Sequence, residues 1–532
     1  MQLPRQLAAL WPASAASTSP SVLVLGGFIG LIALLVWVIR AVSSPLGRIP
    51  GPRLSLFTSA ALRWHEMRGG RTAYVHAQHQ RYGPVVRLSP NEVSFASAAA
   101  VKEIYGAAGS GYDKTEFYNL FTVYGRRTMF STLNKERHAR RRRILADRYA
   151  NSNVMKPSSL GGIEERSRAF AQLCASAPDQ TLDVYSATVP VLHIDSLAAL
   201  HAYAFDCVTH HLFHPYGTNS LQDKADEEIL REVTFDSSLQ DRLIRFYSPR
   251  LHAAIGRVLA LFLTPRSTPL ADSFVLQTAD QPEPAAFTLL SRMKEVQRKA
   301  AGEDDEEKSF DLLDAAAESL DHMAAGIDTT GDGLCFLMWE LSQPRSLSFQ
   351  KRLRHELRAN ATSPSPSPVA LDRLPFLDAV IQEGLRCFPA IPMSLPRVVP
   401  GRAWGVARGS YFVPVGTVVS SQPYSVHRLD TAVFPDPDTF NPDRWLAEDG
   451  DADRKRLFFA FASGGRGCVG KHLAMAEMRT LLRDIYSRFA TAPEASMTDE
   501  SMSMDDQIIS SRPLGQRCLL KFIPLNDVDT SE

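Results

Sequence analysis

Cysteine is scarce in this 532-residue chain: Cys174, Cys207, Cys335, Cys387, Cys468 and Cys518 are scattered, and no CxxC pair occurs. That scarcity argues against a disulfide framework and against a structural zinc site, so any work for cysteine falls to one residue acting alone. A surplus of either charge is also lacking. Lys+Arg and Asp+Glu number 58 each, and a formal net charge of zero gives a polyanion no general attraction, so nucleic acid is not expected as a partner. With 45% hydrophobic residues, 22% charged residues and a mean hydropathy of −0.13, the chain is neither largely disordered nor a polytopic membrane protein. No internal repeat stands out, which removes solenoids and propellers.

One uncharged apolar run, Val22 to Ile39, is long enough to cross a bilayer. As a helix it rises about 27 Å, just enough for the hydrocarbon core. Only Arg5 precedes it, whereas Arg40, Arg48 and Arg53 lie close behind it, so the positive-inside rule places the chain beyond Arg40 in the cytosol. A cleaved signal peptide would carry a basic leading region and a shorter apolar one, and an anchor is expected instead. The segment from Ser43 to Pro52 (SSPLGRIPGP) is stiffened by prolines that deny it a helix. The expected division is an N-terminal segment 1–40 with a transmembrane anchor at about 22–39, a Pro-rich hinge 41–55 and one catalytic domain 56–532. A cytosolic body leaves Asn360-Ala361-Thr362 an unused glycosylation sequon.

From about Ala60 to Leu385, apolar positions recur at spacings of three and four, the helical period, as in Phe349–Arg358. Strand-like stretches are few: Val85–Leu88, and Tyr411–Ser421 with a Pro-Val-Gly-Thr turn. Thr362–Pro368 (TSPSPSP) is expected to be a low-complexity loop, and Glu303–Glu307 (EDDEE) an acidic surface loop before a long helix. The fold class expected is mainly α, one large helical domain with a minor β portion.

Chemistry concentrates first around Phe461-Ala-Ser-Gly-Gly-Arg-Gly-Cys468-Val-Gly470. Glycines at 464, 465, 467 and 470 permit turns with positive φ and let something bulky approach the sulfur. Arg466 favours thiolate over thiol, and the helical run from Lys471 to Leu482 places the sulfur near a helix N-terminus. The spacing resembles the haem-binding loop of the cytochrome P450 family (FxxGxRxCxG). That resemblance implies a thiolate ligand for haem iron. It makes Cys468 the axial ligand, Arg466 a partner of a haem propionate and Phe461 a residue packing near the sulfur.

The resemblance extends along the chain in the family's order. Ala325-Gly326-Ile327-Asp328-Thr329-Thr330, inside an apolar helical stretch from Phe310 to about Leu341, resembles the family's oxygen-activation segment. Glycines at 326, 331 and 333 would each cost about 1 kcal/mol against alanine in a helix, a cost that oxygen activation would explain. Glu383-Gly-Leu-Arg386 matches ExxR, and Phe440-Asn-Pro-Asp-Arg444-Trp resembles the segment whose arginine completes a buried Glu–Arg–Arg cluster. Glu383, Arg386 and Arg444 are thereby assigned structural roles. His138 stands where the family's WxxxR motif has tryptophan, followed by Arg142, and an imidazole N–H can replace an indole N–H toward a propionate. Arg397, in Leu395-Pro-Arg397, fits another propionate position. The neighbouring Arg137, Arg140, Arg141 and Arg143 lack the interleaved aromatics of a nucleic-acid site. They read either as a basic face that docks a reductase or as a plain solvated face.

The resemblance implies a cytochrome P450 fold carrying haem b. The activity implied is a haem-thiolate monooxygenase that inserts one oxygen atom from O2 into a hydrophobic small molecule. Asp328 and Thr329 would deliver protons, and NADPH electrons would arrive through NADPH–cytochrome P450 reductase. The segments DHMAAGIDTT, PYSVHRL and FPDPDTFNPDRWL look most like microsomal enzymes of fungal secondary metabolism, with a single pass through the endoplasmic reticulum membrane and the catalytic domain facing the cytosol. Phe117, Phe121, Ala325, Ile391 and Met393 are candidate pocket positions, or plain core, and suggest a terpenoid, polyketide or alkaloid substrate. Two rival functions are an isomerase or dehydratase on the same fold, needing neither O2 nor reductase, and a non-catalytic haem-binding protein.

Overall fold

The computed structural model describes residues 20–109, 111–186, 198–234, 238–261, 269–300, 310–361, 374–401 and 411–525. The stretches Glu303–Glu307 and Thr362–Pro368 lie outside the described residues. The apolar run forms a helix, Pro20–Ser43, with no acid in its first turn and Arg40 in its last. Its Val24–Ser43 portion, at a mean hydropathy of 2.3, is long and apolar enough to cross a membrane, and among the described residues none of that window is buried.

Residues 41–43 complete the helix Pro20–Ser43, and the Pro-rich residues after them are bonded to the body. Pro45–Arg48 and Arg53–Leu56 wind into short 3-10 turns, and Leu46 and Ile49 are buried. Arg87 collects their carbonyls: Nη1 donates to the oxygens of Leu46 (3.1 Å) and Ile49 (2.7 Å), and Nη2 to that of Pro52 (3.2 Å). Proline removes donors from a segment but leaves its acceptors, and a buried guanidinium satisfies several at once. The segment is a strap bound to the body.

Ten strands occur among the described residues: β1 (Val85–Ser89), β2 (Glu92–Phe95), β3 (Asp113–Lys114), β4 (Thr181–Ser186), β5 (Arg397–Val398), β6 (Val418–Ser420), β7 (Phe489–Pro493), β8 (Met504–Asp506), β9 (Ser511–Pro513) and β10 (Arg517–Pro524). They form a five-stranded sheet in the order β1-β2-β6-β5-β3, a three-stranded sheet β4-β10-β7 and the pair β8-β9. The expected strand at Val85–Leu88 is β1. Of Tyr411–Ser421 only the end joins a ladder, as β6, after a turn in which Gly416 holds φ +80°. The β3–β5 register sets Lys114 opposite Arg397.

Helices make the bulk. The longest, Leu312–Leu341, starts at an Asp311 cap whose carboxylate accepts the Asp314 N–H, and it packs against Ala199–Phe213, a helix with every residue buried. The glycines of the long helix have a packing reason that the sequence did not reveal. A Cβ on Gly331 would stand 2.2 Å from the His201 ring, and one on Gly326 would stand 2.7 Å from Val208. Close approach of the two helices offsets the glycine cost at these positions.

A buried ionic cluster ties the helix Pro375–Cys387 to the chain downstream. The Glu383 carboxylate accepts from Arg386 Nε and Nη2, Arg444 Nε and the Asn441 N–H at 2.9 Å each, and from Trp445 Nε1 at 2.8 Å. Arg386 also donates to the carbonyls of His427, Pro437 and Thr439. His427 returns a bond from Nδ1 to the Arg386 carbonyl, and its Nε2 accepts the Phe459 N–H at 2.8 Å. Burial, with Arg386 and Arg428 nearby, pushes that imidazole down to about 3, so it is neutral and its tautomer is set by the two bonds.

The helix Lys471–Tyr486 carries a second buried acid, Glu477. Its Oε2 accepts from Thr330 Oγ1 at 3.1 Å, its Oε1 has no partner, and burial pushes the carboxyl up to about 8. The unfolded chain gives up this proton near pH ~4.3, well before the folded one does. Stability from this group is therefore intact in acid and declines as pH rises from about 4 toward 8. Glu477→Gln is expected to stabilise the protein by about 2 kcal/mol at pH 7.5 and by little at pH 5. Thermal unfolding followed by circular dichroism at both pH values checks this, and an equal effect at the two would refute it.

Candidate functional site

The cysteine loop runs from Phe459, held by His427, to the helix Lys471–Tyr486. Gly464 has φ +70°, and a Cβ there would sit 2.0 Å from the Tyr105 carbonyl, so no other residue fits. A 3-10 turn at Gly464–Arg466 comes next, closed by Gly467 N–H on the Gly464 carbonyl at 2.9 Å, and the Cys468 N–H bonds the Phe461 carbonyl at 2.8 Å. Burial raises the Cys468 thiol, while the N–H groups of Gly470 and Lys471 and the charge of Arg142 favour thiolate. Arg142 is itself fixed by donating to the Gly467 carbonyl at 2.6 Å. Among the six cysteines, Cys468 alone has an exposed side chain, although protein surrounds it. Its open surface faces a space inside the fold. The Phe461 ring lies half-buried beside the loop, with Lys471 Nζ 5.7 Å from its centre.

Beside the loop gathers buried positive charge with little to neutralise it. Arg466 donates from Nη2 to the Leu133 carbonyl at 2.7 Å, with Asp113 3.9 Å away, yet its Nε and Nη1 have no partner. Arg397, 2% exposed, leaves Nε and Nη1 unpartnered and lies over the Tyr105 ring at 5.3 Å. His138 is buried with Nδ1 unpartnered. Lys114 donates to the Phe130 carbonyl at 2.5 Å and sits 4.2 Å from the ring centres of Tyr118 and Phe130. The groups depress one another. Burial together with Arg397 takes Arg466 down to about 10, and burial with Arg466, Lys114, Arg142 and Arg397 takes His138 to about 2. Lys114 falls well below the usual lysine range for the same reasons.

Buried charge left uncompensated is strongly unfavourable, so this cluster is built for an anion. The two propionate carboxylates of the haem that the sequence resemblance implies would supply matching charge, and the partnerless donors suit such a group. His138, Arg142, Arg397 and Arg466, which sequence resemblance nominates, are thus brought together, and Lys114 joins them. Nothing local in Gly111-Tyr-Asp-Lys114 marks that lysine; only the pairing with β5 places it there.

The long helix presents one open face. Ala325 is exposed, and Asp321, Ala324, Asp328 and Thr329 retain surface, while Met323, Ile327 and Thr330 are buried. Positions 321, 325, 328 and 329 share a helix face, which here borders interior space. Thr329 Oγ1 donates to the Ala325 carbonyl one turn back at 2.7 Å, and the Asp328 carboxylate lies 3.9 Å from Arg512. Burial pushes the Asp321 carboxyl up to about 6, with Lys114 among the charges that lower it, which links this face to the cation cluster. Phe117, Phe121 and Ile391 keep partial exposure, and Phe121 stands edge-on to Phe130 at 5.1 Å. Met393, 3% exposed, is core and has no surface with which to line a pocket.

The arginines of the helix Lys135–Leu145 divide between two environments. Arg137, Arg140 and Arg143 are exposed along one face. Arg141 does not belong to that face. Its Nε lies 2.7 Å from the buried Glu318 carboxylate, and its Nη1 donates to the Arg127 carbonyl.

The model of the Cytochrome P450 family matches residues 49–519 of the chain. The cytochrome P450 monooxygenase stcB of Emericella nidulans is 29% identical over 90% of this chain and 88% of its own length. The cytochrome P450 monooxygenase tazI of Aspergillus terreus is 30% identical over 92% and 96%, and the benzoate 4-monooxygenase bphA of Aspergillus niger 26% over 93% and 97%.

Replacing Arg397 and Arg466 together by glutamine should have opposite effects on two states. The haem-free chain, relieved of buried charge, gains stability, whereas the loaded protein loses haem at least about 10-fold faster, as expected when charge-assisted bonds are removed. Denaturant unfolding of the first and haem transfer to an acceptor protein from the second provide the measurements; unchanged haem loss would refute the assignment.

Proposed function

The chain belongs to the cytochrome P450 family and is one of its monooxygenases; we propose that it inserts one oxygen atom from O2 into a hydrophobic small molecule of fungal secondary metabolism, such as a terpenoid, polyketide or alkaloid. The observation that carries this reading is the single exposed cysteine at a helix N-terminus, set beside buried cations that lack an anion. When bound, haem b supplies dioxygen activation and oxygen transfer, chemistry that belongs to the cofactor rather than to the protein.

The chain's own residues do the rest. Cys468 would supply the thiolate that holds the haem iron. His138, Arg142, Arg397, Arg466 and Lys114 hold the propionates, and Phe461 shields the sulfur. Asp328 and Thr329, on the open helix face, hold and pass protons toward the reacting oxygen. The partly open Phe117, Phe121, Ala325 and Ile391 favour an apolar substrate and exclude water. The acid–alcohol pair favours this reading over an isomerase or dehydratase, which activates no O2.

A redox partner is implied by the family, and in this reading it is NADPH–cytochrome P450 reductase, docking on the face of Arg137, Arg140 and Arg143. Segment 1–40 anchors the protein once through the endoplasmic reticulum membrane, residues 41–55 join it to the body, and the catalytic domain 56–532 faces the cytosol. The helix, uncharged until Arg40 in its last turn and followed by Arg48, supports that orientation.

Cys468→Ala is expected to abolish the red-shifted Soret band of the reduced carbon monoxide complex. Survival of that band would overturn the ligand assignment, and turnover without NADPH would overturn the monooxygenase reading. Reversing charge with Arg140→Glu and Arg143→Glu should slow reductase-driven haem reduction about 10-fold at low salt, and much less at ~0.5 M salt, where screening is strong. Stopped-flow reduction at two ionic strengths tests the docking face, and a salt-independent effect would count against it.

A further inference from the structure

Behind the open face of the long helix lies a second polar cluster. Asp332, one turn beyond Asp328, is 1% exposed, and its Oδ1 lies 3.0 Å from His201 Nε2. His201 comes from the fully buried helix Ala199–Phe213 and rests against Gly331, where any side chain would displace it. Arg512 of β9 reaches in beside them, donating to the Thr234 carbonyl at 2.7 Å and standing 3.9 Å from Asp328 Oδ2. The Tyr185 ring of β4 is 4.9 Å from that of His201.

Three buried atoms here, Asp332 Oδ2, His201 Nδ1 and Tyr185 OH, have no protein partner. Native proteins rarely leave such groups unsatisfied, and a polar site of this kind is where ordered water resides. The charged and titratable groups facing the pair are Asp328 and Cys335 on the same helix, Arg512 from β9 and Tyr185 from β4, with Asp505 of β8 behind Arg512 and Cys518 of β10 and Asp183 of β4 beside Cys335. Burial and the charge of Asp328 hold the Asp332 carboxyl above the usual range, against the hydrogen bond from His201.

Resting on the monooxygenase reading, we propose that Asp332 and His201 form a hydrated proton relay that refills Asp328 from behind. The transfers balance without electrons. Asp328 gives one proton to the cavity and takes one, through water held at Arg512, from the Asp332 carboxyl, which becomes carboxylate. Asp332 is then re-protonated by water at its unpartnered Oδ2, while His201 keeps its Nε2 proton on Oδ1 and holds the carboxyl in place. The sum is one proton moved from solvent to the cavity. Both residues act through Asp328 and touch no substrate.

The test uses the full-length, haem-loaded protein as wild type, Asp332→Asn, His201→Gln and Asp328→Asn, each first shown to keep its red-shifted Soret band. Infrared spectra in H2O and D2O should reveal an exchangeable carboxylic acid band that Asp332→Asn removes, His201→Gln shifts and Asp328→Asn leaves in place. NADPH-driven peroxide formation with reductase, measured without organic substrate, should slow at least about 3-fold in Asp332→Asn and His201→Gln, with a raised solvent isotope effect. Absence of an Asp332-dependent band, or an isotope effect unchanged in both variants, overturns the relay. If the wild type shows no NADPH-dependent oxygen consumption, the monooxygenase reading fails instead, and the infrared result alone decides the relay.

Discussion

A single buried carboxylate, that of Glu383, holds the proximal half of the molecule in place. It is fully buried and accepts hydrogen bonds from two guanidiniums, an indole and a backbone N–H. Replacing such a network with apolar packing can be neutral, but removing one partner strands the others and typically costs about 3–5 kcal/mol. Here the consequence is geometric as well. Arg386, held by Glu383, gathers the carbonyls of three downstream residues, and His427 transmits that position to Phe459, where the cysteine loop begins. The loop's placement is inherited from an ion cluster whose bonds all close within the chain.

The second charged cluster is built on the opposite principle. Arg397, Arg466 and Lys114, with the neutral His138 among them, are buried like the Glu383 group but have almost no countercharge. Their mutual repulsion is a standing cost in the protein alone, and an anionic ligand converts it into affinity. One cluster is closed by the chain itself, and the other is left open for a partner. The difference lies in where the nearest carboxylate falls: inside the first, and 3.9 Å away at a half-exposed Asp113 in the second.

Much of this was legible in the sequence where the chemistry is local. The loop around Cys468, the pair Glu383 and Arg386 at one helix face, and the open stripe of Asp328 and Thr329 each depend on residues near one another in the chain. Features assembled by register or tertiary contact were not legible. Lys114 enters the cation cluster through strand pairing, and Asp332 meets His201 only because two helices approach across Gly331. The same limit explains the errors. Prolines in 41–55 reported missing donors but not the guanidinium that collects the remaining acceptors. Arg141 looked like one more surface charge until Glu318 turned it inward, and the helix glycines had a packing partner that lies more than a hundred residues away.

The strap of residues 41–55 has a mechanical consequence. Bonded by one buried arginine at Leu46, Ile49 and Pro52, it makes the junction between membrane helix and body a bracket instead of a tether. A tethered enzyme samples every orientation above its membrane, whereas a bracketed one keeps the same side toward the lipid. For an enzyme anchored as proposed, an apolar compound dissolved in the bilayer would meet the protein at a constant aspect, and its capture would become a two-dimensional search with a fixed target.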